Sequence, residues 1–132
     1  MIAQELRVGN FIMDGNGEVS PIIGIFPNSS HSSYLIRTKS PDIGYEEWGI
    51  EEIKPIALTE EWLVKAGFIS NPYMDRYELG SLRIECRKDT GITQLWIERH
   101  ECLGQFAPKI DYVHQLQNLV FALTGEELKL KE

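Results

Sequence analysis

The chain has 132 residues, a formal net charge of −7 and 42% hydrophobic residues. That is enough chain for one domain or for two very small ones, with an ordinary globular composition. The acidic balance argues against broad binding to phosphate backbones but leaves room for one local basic patch.

No apolar run approaches a membrane span, and Met1-Ile-Ala-Gln-Glu5 lacks the basic-then-apolar pattern of a signal segment. A cytoplasmic location is the expectation. The two cysteines, Cys86 and Cys102, are too few for a disulfide scaffold and read as free thiols.

Residues 6 to 56 read as short strands separated by turns. Val8-Gly-Asn-Phe-Ile12 is a first strand after a glycine kink. Asp14-Gly-Asn-Gly17 is a hairpin signal, because Asn and Gly tolerate the positive φ of tight turns. Glu18 to Phe26 returns as a second strand, bent or bulged near Pro21 and Gly24. Pro27 to Ser32 is a polar loop. Ser33 to Thr38 is a third strand, Ser40 to Gly44 a turn, Tyr45 to Trp48 a fourth strand, and Ile50 to Ile56 a single turn followed by an exit strand. Short strands in this rhythm predict a small, half-open SH3-like barrel, an analogy of fold that carries no function.

Thr59 predicts a helix N-cap, with Glu60 and Glu61 at the positive end of the helix dipole. Leu58 and Leu63 sit at hydrophobic-staple positions, and Gly67 is a left-handed stop that lets Phe68 turn back toward Leu63. Ile69-Ser-Asn-Pro72 reads as a loop. A meander follows: Tyr73 to Leu79, a turn at Gly80-Ser81, and an alternating strand with Leu82, Ile84 and Cys86 on one side and Arg83, Glu85 and Arg87 on the other. After a turn at Lys88 to Gly91, Thr93, Leu95 and Ile97 point inward and Trp96 outward. A short fourth strand is expected within Leu103 to Phe106.

Residues 110 to 124 form the longest periodic stretch. On a helical wheel Tyr112, Val113, Leu116, Leu119, Val120 and Leu123 fall within an arc of roughly 120°. Asp111, His114, Gln115 and Asn118 fall opposite, with Ile110, Gln117 and Phe121 on a flank. Pro108 stands just ahead and Gly125 just behind, as helix ends favour. Thr124-Gly-Glu-Glu127 also fits a capping box for a short final turn.

Thr59-Glu-Glu-Trp-Leu-Val-Lys-Ala-Gly-Phe68, Tyr112-Val-His-Gln-Leu-Gln-Asn-Leu-Val-Phe-Ala-Leu-Thr-Gly-Glu-Glu-Leu128 and the Leu6-Arg-Val-Gly-Asn10 start resemble a family of small uncharacterised proteins of Bacteroides-type gut bacteria and their phages or mobile elements. The likeness spans most of the chain and is weakest in the middle strands. It implies a bacterial, intracellular, phage-like setting and brings no activity, cofactor or catalytic residue.

Four groups of side chains are weighed as sites. His100, Cys102, Cys86 and His114 are of zinc-ligating types, but their spacing fits no zinc pattern, so no metal and no cofactor is expected. The acidic pairs Glu46-Glu47, Glu51-Glu52, Glu60-Glu61 and Glu126-Glu127 are not preformed dyads on strands, since neighbours there point to opposite faces. Asp111, His114, Gln115 and Asn118 make a polar helix stripe with no nucleophile attached, so capping-turn contacts or solvation rank above catalysis, with a partner-binding face between them. Tyr34, Tyr45 and Trp48, with Trp96, are aromatic candidates. Tyr45 and Trp48 beside Glu46 and Glu47 would suit a basic peptide or a protein.

The fold expected is α+β. A small barrel-like part over residues 1–56 precedes an α+β part over residues 57–132, in which a short helix leads into an antiparallel three- or four-stranded sheet packed by the C-terminal helix. Whether the parts share one core is left open. The function expected is a non-enzymatic protein-binding or adaptor module, with Tyr34, Tyr45, Trp48, His114, Gln115 and Asn118 as its binding residues. The alternative is a nucleic-acid-associated protein using Arg7, Arg37, Lys39, Arg83, Arg87 and Lys88; a small hydrolytic or metal-dependent enzyme ranks third. No membrane partner is expected, and open edge strands invite a homodimer.

Overall fold

The computed structural model describes residues 5–28, 33–71, 76–79, 82–87, 91–99, 102–106 and 110–130. In chain order the elements are β1 (Phe11–Met13), β2 (Val19–Asn28), β3 (Ser33–Ser40), β4 (Gly44–Gly49), α1 (Glu60–Lys65), β5 (Ile69–Asn71), β6 (Arg76–Leu79), β7 (Leu82–Arg87), β8 (Gly91–Arg99), β9 (Cys102–Phe106) and α2 (Val113–Thr124). They form an α+β fold of two compact units, Met1–Ile56 with Tyr112–Gly125, and Ala57–Asp111 with Glu126–Glu132.

The first unit is an antiparallel meander in the order β1-β2-β3-β4. Its first turn is organised by Asp14, whose carboxylate accepts from the Asn16 and Glu18 amides at 2.9 and 3.0 Å and from the Ser20 hydroxyl at 3.0 Å. Gly17 supplies the φ of 79° that closes this hairpin. The pairing of β2 with β3 shifts register between Ile22 and Gly24, a bulge that moves every later side chain of β2 by one face. Before it, Ser20 and Ile22 point inward; after it, Ile25 packs against the core. That core comprises Leu6, Ile12, Ile22, Ile36 and Ile53, with Ile25, Trp48 and Ile50 against it.

The expected exit strand is reduced to one bridge, in which Met13 and Lys54 exchange both backbone bonds at 2.9 Å. The meander is open: among the described residues β4 does not pair back to β1, so no closed barrel forms.

Helix α2 belongs to this unit and not to the second sheet, where the amphipathic pattern had placed it. Its first amide donates to the Ile56 carbonyl at 2.9 Å. The Gln117 carbonyl accepts from the Phe11 amide at 2.8 Å, and its NH2 donates to the Gly9 carbonyl at 3.0 Å. The Asn118 oxygen accepts from Asn10 at 2.8 Å and Arg7 at 2.9 Å, and its NH2 donates to the Glu5 carbonyl at 2.6 Å. The Gln117 amide thus acts as a neighbouring strand would, and Asn118 ties in the Asn10 and Arg7 side chains. The helix ends where Gly125 turns left-handed at φ 76°, and the Thr124 hydroxyl donates back to the Val120 carbonyl at 2.7 Å. Thr124 therefore closes this helix and opens no further one. Pro108 lies outside the described residues.

In the second unit the Thr59 hydroxyl caps α1 by accepting from the Trp62 amide at 3.4 Å, and Glu61 pairs with Lys65 at 3.4 Å. Gly67 at φ 91° ends it as the Gly67 and Phe68 amides reach back to Val64 and Leu63, each at 3.0 Å. The sheet has five strands, in the order β5-β6-β7-β8-β9, where three or four were expected. The addition is β5, in a stretch read as a loop. The turns at Gly80-Ser81 and Lys88 to Thr90 lie outside the described residues.

Gln117→Leu keeps the bulk but removes the partners seen for the Phe11 N–H and the Gly9 C=O. It should cost about 2–4 kcal/mol. In urea the unfolding midpoint should fall with the slope unchanged. A midpoint equal to that of the unsubstituted protein would show that these amides do not hold the unit together.

Candidate binding surface

Strand alternation, corrected for the bulge, sorts the first sheet into two faces. The inward row holds Ile22 with Thr38 and Ile25 with Ile36 and Trp48, as cross-strand partners. The outward row holds Gly24 with Arg37 and Glu47, Phe26 with Leu35, and Lys39 with Tyr45. Val19 and Ile23 lie on the outward side of β2 ahead of the shift.

Arg37 is the centre of the outward row. Its guanidinium carbon lies 4.7 Å from the Phe26 ring centroid and 4.1 Å from that of Tyr45. Its terminal nitrogen stands 3.6 Å from the Glu47 carboxylate. The Arg37 Nε is buried and has no hydrogen-bond partner among the described residues. Two rings therefore hold the cation more than hydrogen bonds do. Gly24 makes room for this stack, since a Cβ there would meet the Phe26 ring at 2.6 Å. On this outward face the large apolar side chains stay open to solvent: Val19 at 44%, Ile23 at 43%, Phe26 at 40% and Tyr45 at 45%.

The residues expected to bind are dispersed. Tyr45 lies on this outward face. Trp48, three residues on in an extended strand, points the other way; its indole N–H donates to the Thr38 hydroxyl at 3.0 Å and a Cβ at Gly15 would run into its ring. Trp48 is thus a core-side residue and does not share a surface with Tyr45. Tyr34 is partly exposed and shares the strand side of Ile36.

The polar stripe of α2 is not a free face. Asn118 is tied to Arg7, Asn10 and Glu5, and Gln115 reaches back to the Tyr112 amide at 3.1 Å. His114 is fully buried, stacked on Tyr112 with ring centroids 5.9 Å apart, and its Nε2 lies 3.6 Å from the Glu5 carboxylate. Asp111 is exposed, and its carbonyl accepts from the Leu58 amide at 2.9 Å.

The other candidates do not converge. Cys86 on β7 and Cys102 on β9 are separated by β8, and His100 lies outside the described residues. Among the described residues no group of three or more His, Cys, Asp or Glu is placed to hold a metal ion. Of the basic residues, Arg7 bonds Asn118 and lies 4.1 Å over the Phe121 ring, and Arg37 is in the aromatic stack. On β7, Arg83 and Arg87 flank Glu85 at alternate positions; Trp96 is paired with Arg83 in register, and Lys88 lies outside the described residues. No helix among the described residues is long and apolar enough to cross a membrane.

Sequence reasoning missed Phe26, Ile23, Val19 and Arg37 as one surface. The signal was present in Gly24 and Pro21, which marked the bulge, but only the cross-strand register says which later residues turn outward. Comparison with protein-family models, with curated proteins and with solved structures gives no match. The reading of this surface therefore rests on its own geometry.

Burial drives the His114 pKa below its ordinary value of 6.5, with the Glu5 carboxylate opposing the shift. The folded state thus takes up this proton only at a lower pH than the unfolded chain. Stability from this group is complete above pH 6.5 and is lost as pH falls from there through the lowered folded value. His114→Leu should flatten that part of the stability profile relative to the unsubstituted protein, measured by urea unfolding across the acid range. Parallel profiles would rule out a buried neutral imidazole.

Proposed function

We propose that the protein is a non-enzymatic binding or adaptor module of a bacterial or phage-derived system, and that it takes a protein partner on the outward face of its first sheet. One observation carries the reading. Phe26 and Tyr45 are solvent-exposed around Arg37, and Val19 and Ile23 are exposed on the same outward side, on a face whose core-side row is already filled. An exposed apolar face that carries an arginine between two aromatic rings has the composition of an interaction hot spot. The Arg37 stack also holds its side chains in place before a partner arrives, which lowers the entropy lost on binding. The open meander with Lys54 bridged to β1 supports an analogy with half-open SH3-like barrels, of fold only.

The acidic balance disfavours the nucleic-acid alternative, as does the engagement of Arg37 with Tyr45, Phe26 and Glu47. A pull-down from host lysate, with bound protein and nucleic acid both identified, separates the readings. Phe26→Ala with Tyr45→Ala should release a protein partner, each truncation costing about 1–2 kcal/mol of binding. Val64→Ala, an exposed change on α1, should not. Both side chains of the double variant are exposed, so its urea midpoint should stay near that of the parent. Nucleic acid that survives about 0.3 M salt and ignores the double substitution would overturn the proposal.

A further inference from the structure

Among the described residues β4 is the last strand of the first sheet, and no strand pairs with its other side. The directions of its backbone groups follow from its end. The Gly49 amide donates to the Glu52 carboxylate at 3.0 Å and the Gly49 carbonyl accepts from the Glu52 amide at 2.9 Å. Both groups of Gly49 therefore point away from β3. In an antiparallel ladder this orientation repeats at every second residue. Glu47 and Tyr45 then also point their N–H and C=O away from β3, and Trp48, Glu46 and Gly44 point theirs toward it. Among the described residues no backbone bond engages the Tyr45 or Glu47 groups on the open side. Two donors and two acceptors are thus presented in register for one more strand.

The charge around that edge selects what can add to it. From Ser40 to Ile53 the chain carries Asp42, Glu46, Glu47, Glu51 and Glu52 and no basic residue. Glu46 and Glu47 lie on opposite faces of β4, so an added strand meets a carboxylate whichever way its side chains alternate. A second copy of this chain is a poor occupant. An antiparallel copy that pairs Tyr45 with Glu47 in both directions sets Glu46 against Glu46, and like charges directly opposed are destabilising.

We infer that β4 is the docking edge for an extended, lysine- or arginine-bearing segment of a partner protein, which adds to the first sheet as a fifth strand beside Tyr45 and Glu47. This rests on the reading of the outward face as a protein-binding surface: the added strand would lie next to Tyr45 and continue that face. The open backbone groups provide attachment independent of side-chain identity, and the carboxylates provide the preference for basic residues.

The test uses the full chain and a fluorescein-labelled octapeptide alternating lysine with valine. Two comparison peptides accompany it, one with glutamate for lysine and one N-methylated at alternate backbone amides. Binding is followed by anisotropy up to about 1 mM peptide. Amide hydrogen exchange is followed in parallel, residue by residue. The lysine peptide should bind and slow exchange at the Tyr45 and Glu47 amides about tenfold or more, as expected for amides newly hydrogen-bonded. The glutamate peptide should not bind, and N-methylation should weaken binding about tenfold or more by removing backbone donors. Glu46→Lys should lower affinity for the lysine peptide while the unbound exchange pattern shows the sheet intact.

Absence of binding by the lysine peptide overturns the inference. So does binding that leaves Tyr45 and Glu47 exchange unchanged, or that is indifferent to N-methylation, because attraction would then be electrostatic without strand addition. These failures are separable from failure of the broader reading. A protein partner lost from the Phe26→Ala, Tyr45→Ala variant would keep the outward face as an interface even when the peptide fails.

Discussion

The first unit depends on a polar contact between the two ends of the chain. Strand β1 is only three residues long, and among the described residues no strand pairs with the segment leading into it on the side of α2. Its backbone groups would be buried without partners there. Gln117 answers with one amide that accepts from the Phe11 N–H and donates to the Gly9 carbonyl, and Asn118 accepts from the Asn10 and Arg7 side chains and donates to the Glu5 carbonyl. An amide suits this role because it has a donor and an acceptor at the spacing of a peptide group and carries no charge to desolvate. The contact draws a helix from beyond residue 110 into the unit built by the first 56 residues.

With α2 held in this way, its buried side includes polar residues that the helical wheel placed opposite the apolar arc, as with His114, or on its flank, as with Gln117. His114 and Gln117 are as buried as Val113 and Leu116. Burial lowers the His114 pKa, although Glu5 lies near enough to favour its charged form. The packing of this helix is therefore coupled to proton concentration, while Gln117 and Asn118 bond without regard to it.

The sheet divides its labour by face. Ile22, Ile25, Ile36 and Trp48 fill the inward row with Ile12, and the bulge after Ile22 is what brings Ile25 inward and sends Phe26 out. The outward row is not needed for this core, yet it carries large apolar side chains around an arginine sandwiched by two rings. Exposed apolar surface lowers solubility without contributing to folding, and the proposed role of this face as an interface would account for it. The adjoining edge, β4, combines open backbone groups with carboxylates on both faces, a combination that opposes pairing with itself and leaves pairing with basic segments favoured.

Much of the local structure was legible in the residues themselves. Asp14 to Gly17 marked a hairpin, Thr59 and Gly67 marked both ends of α1, Gly125 marked the end of α2, and Pro21 with Gly24 marked a bend in β2. These signals work because caps, turns and bulges depend on the conformational freedom and hydrogen-bonding reach of single side chains. Three things required the tertiary structure. Amphipathicity says that α2 buries a face but not against which surface, and the choice was made by long-range amide contacts between Gln117, Asn118 and residues more than one hundred positions earlier. Alternation says that Phe26 and Tyr45 belong to some face, but a bulge of one residue reverses the assignment, and its position is fixed by pairing with β3. Tyr45 and Trp48 are close in sequence yet face opposite ways, because a strand alternates its side chains with a period of two and only the observed strand sets the phase.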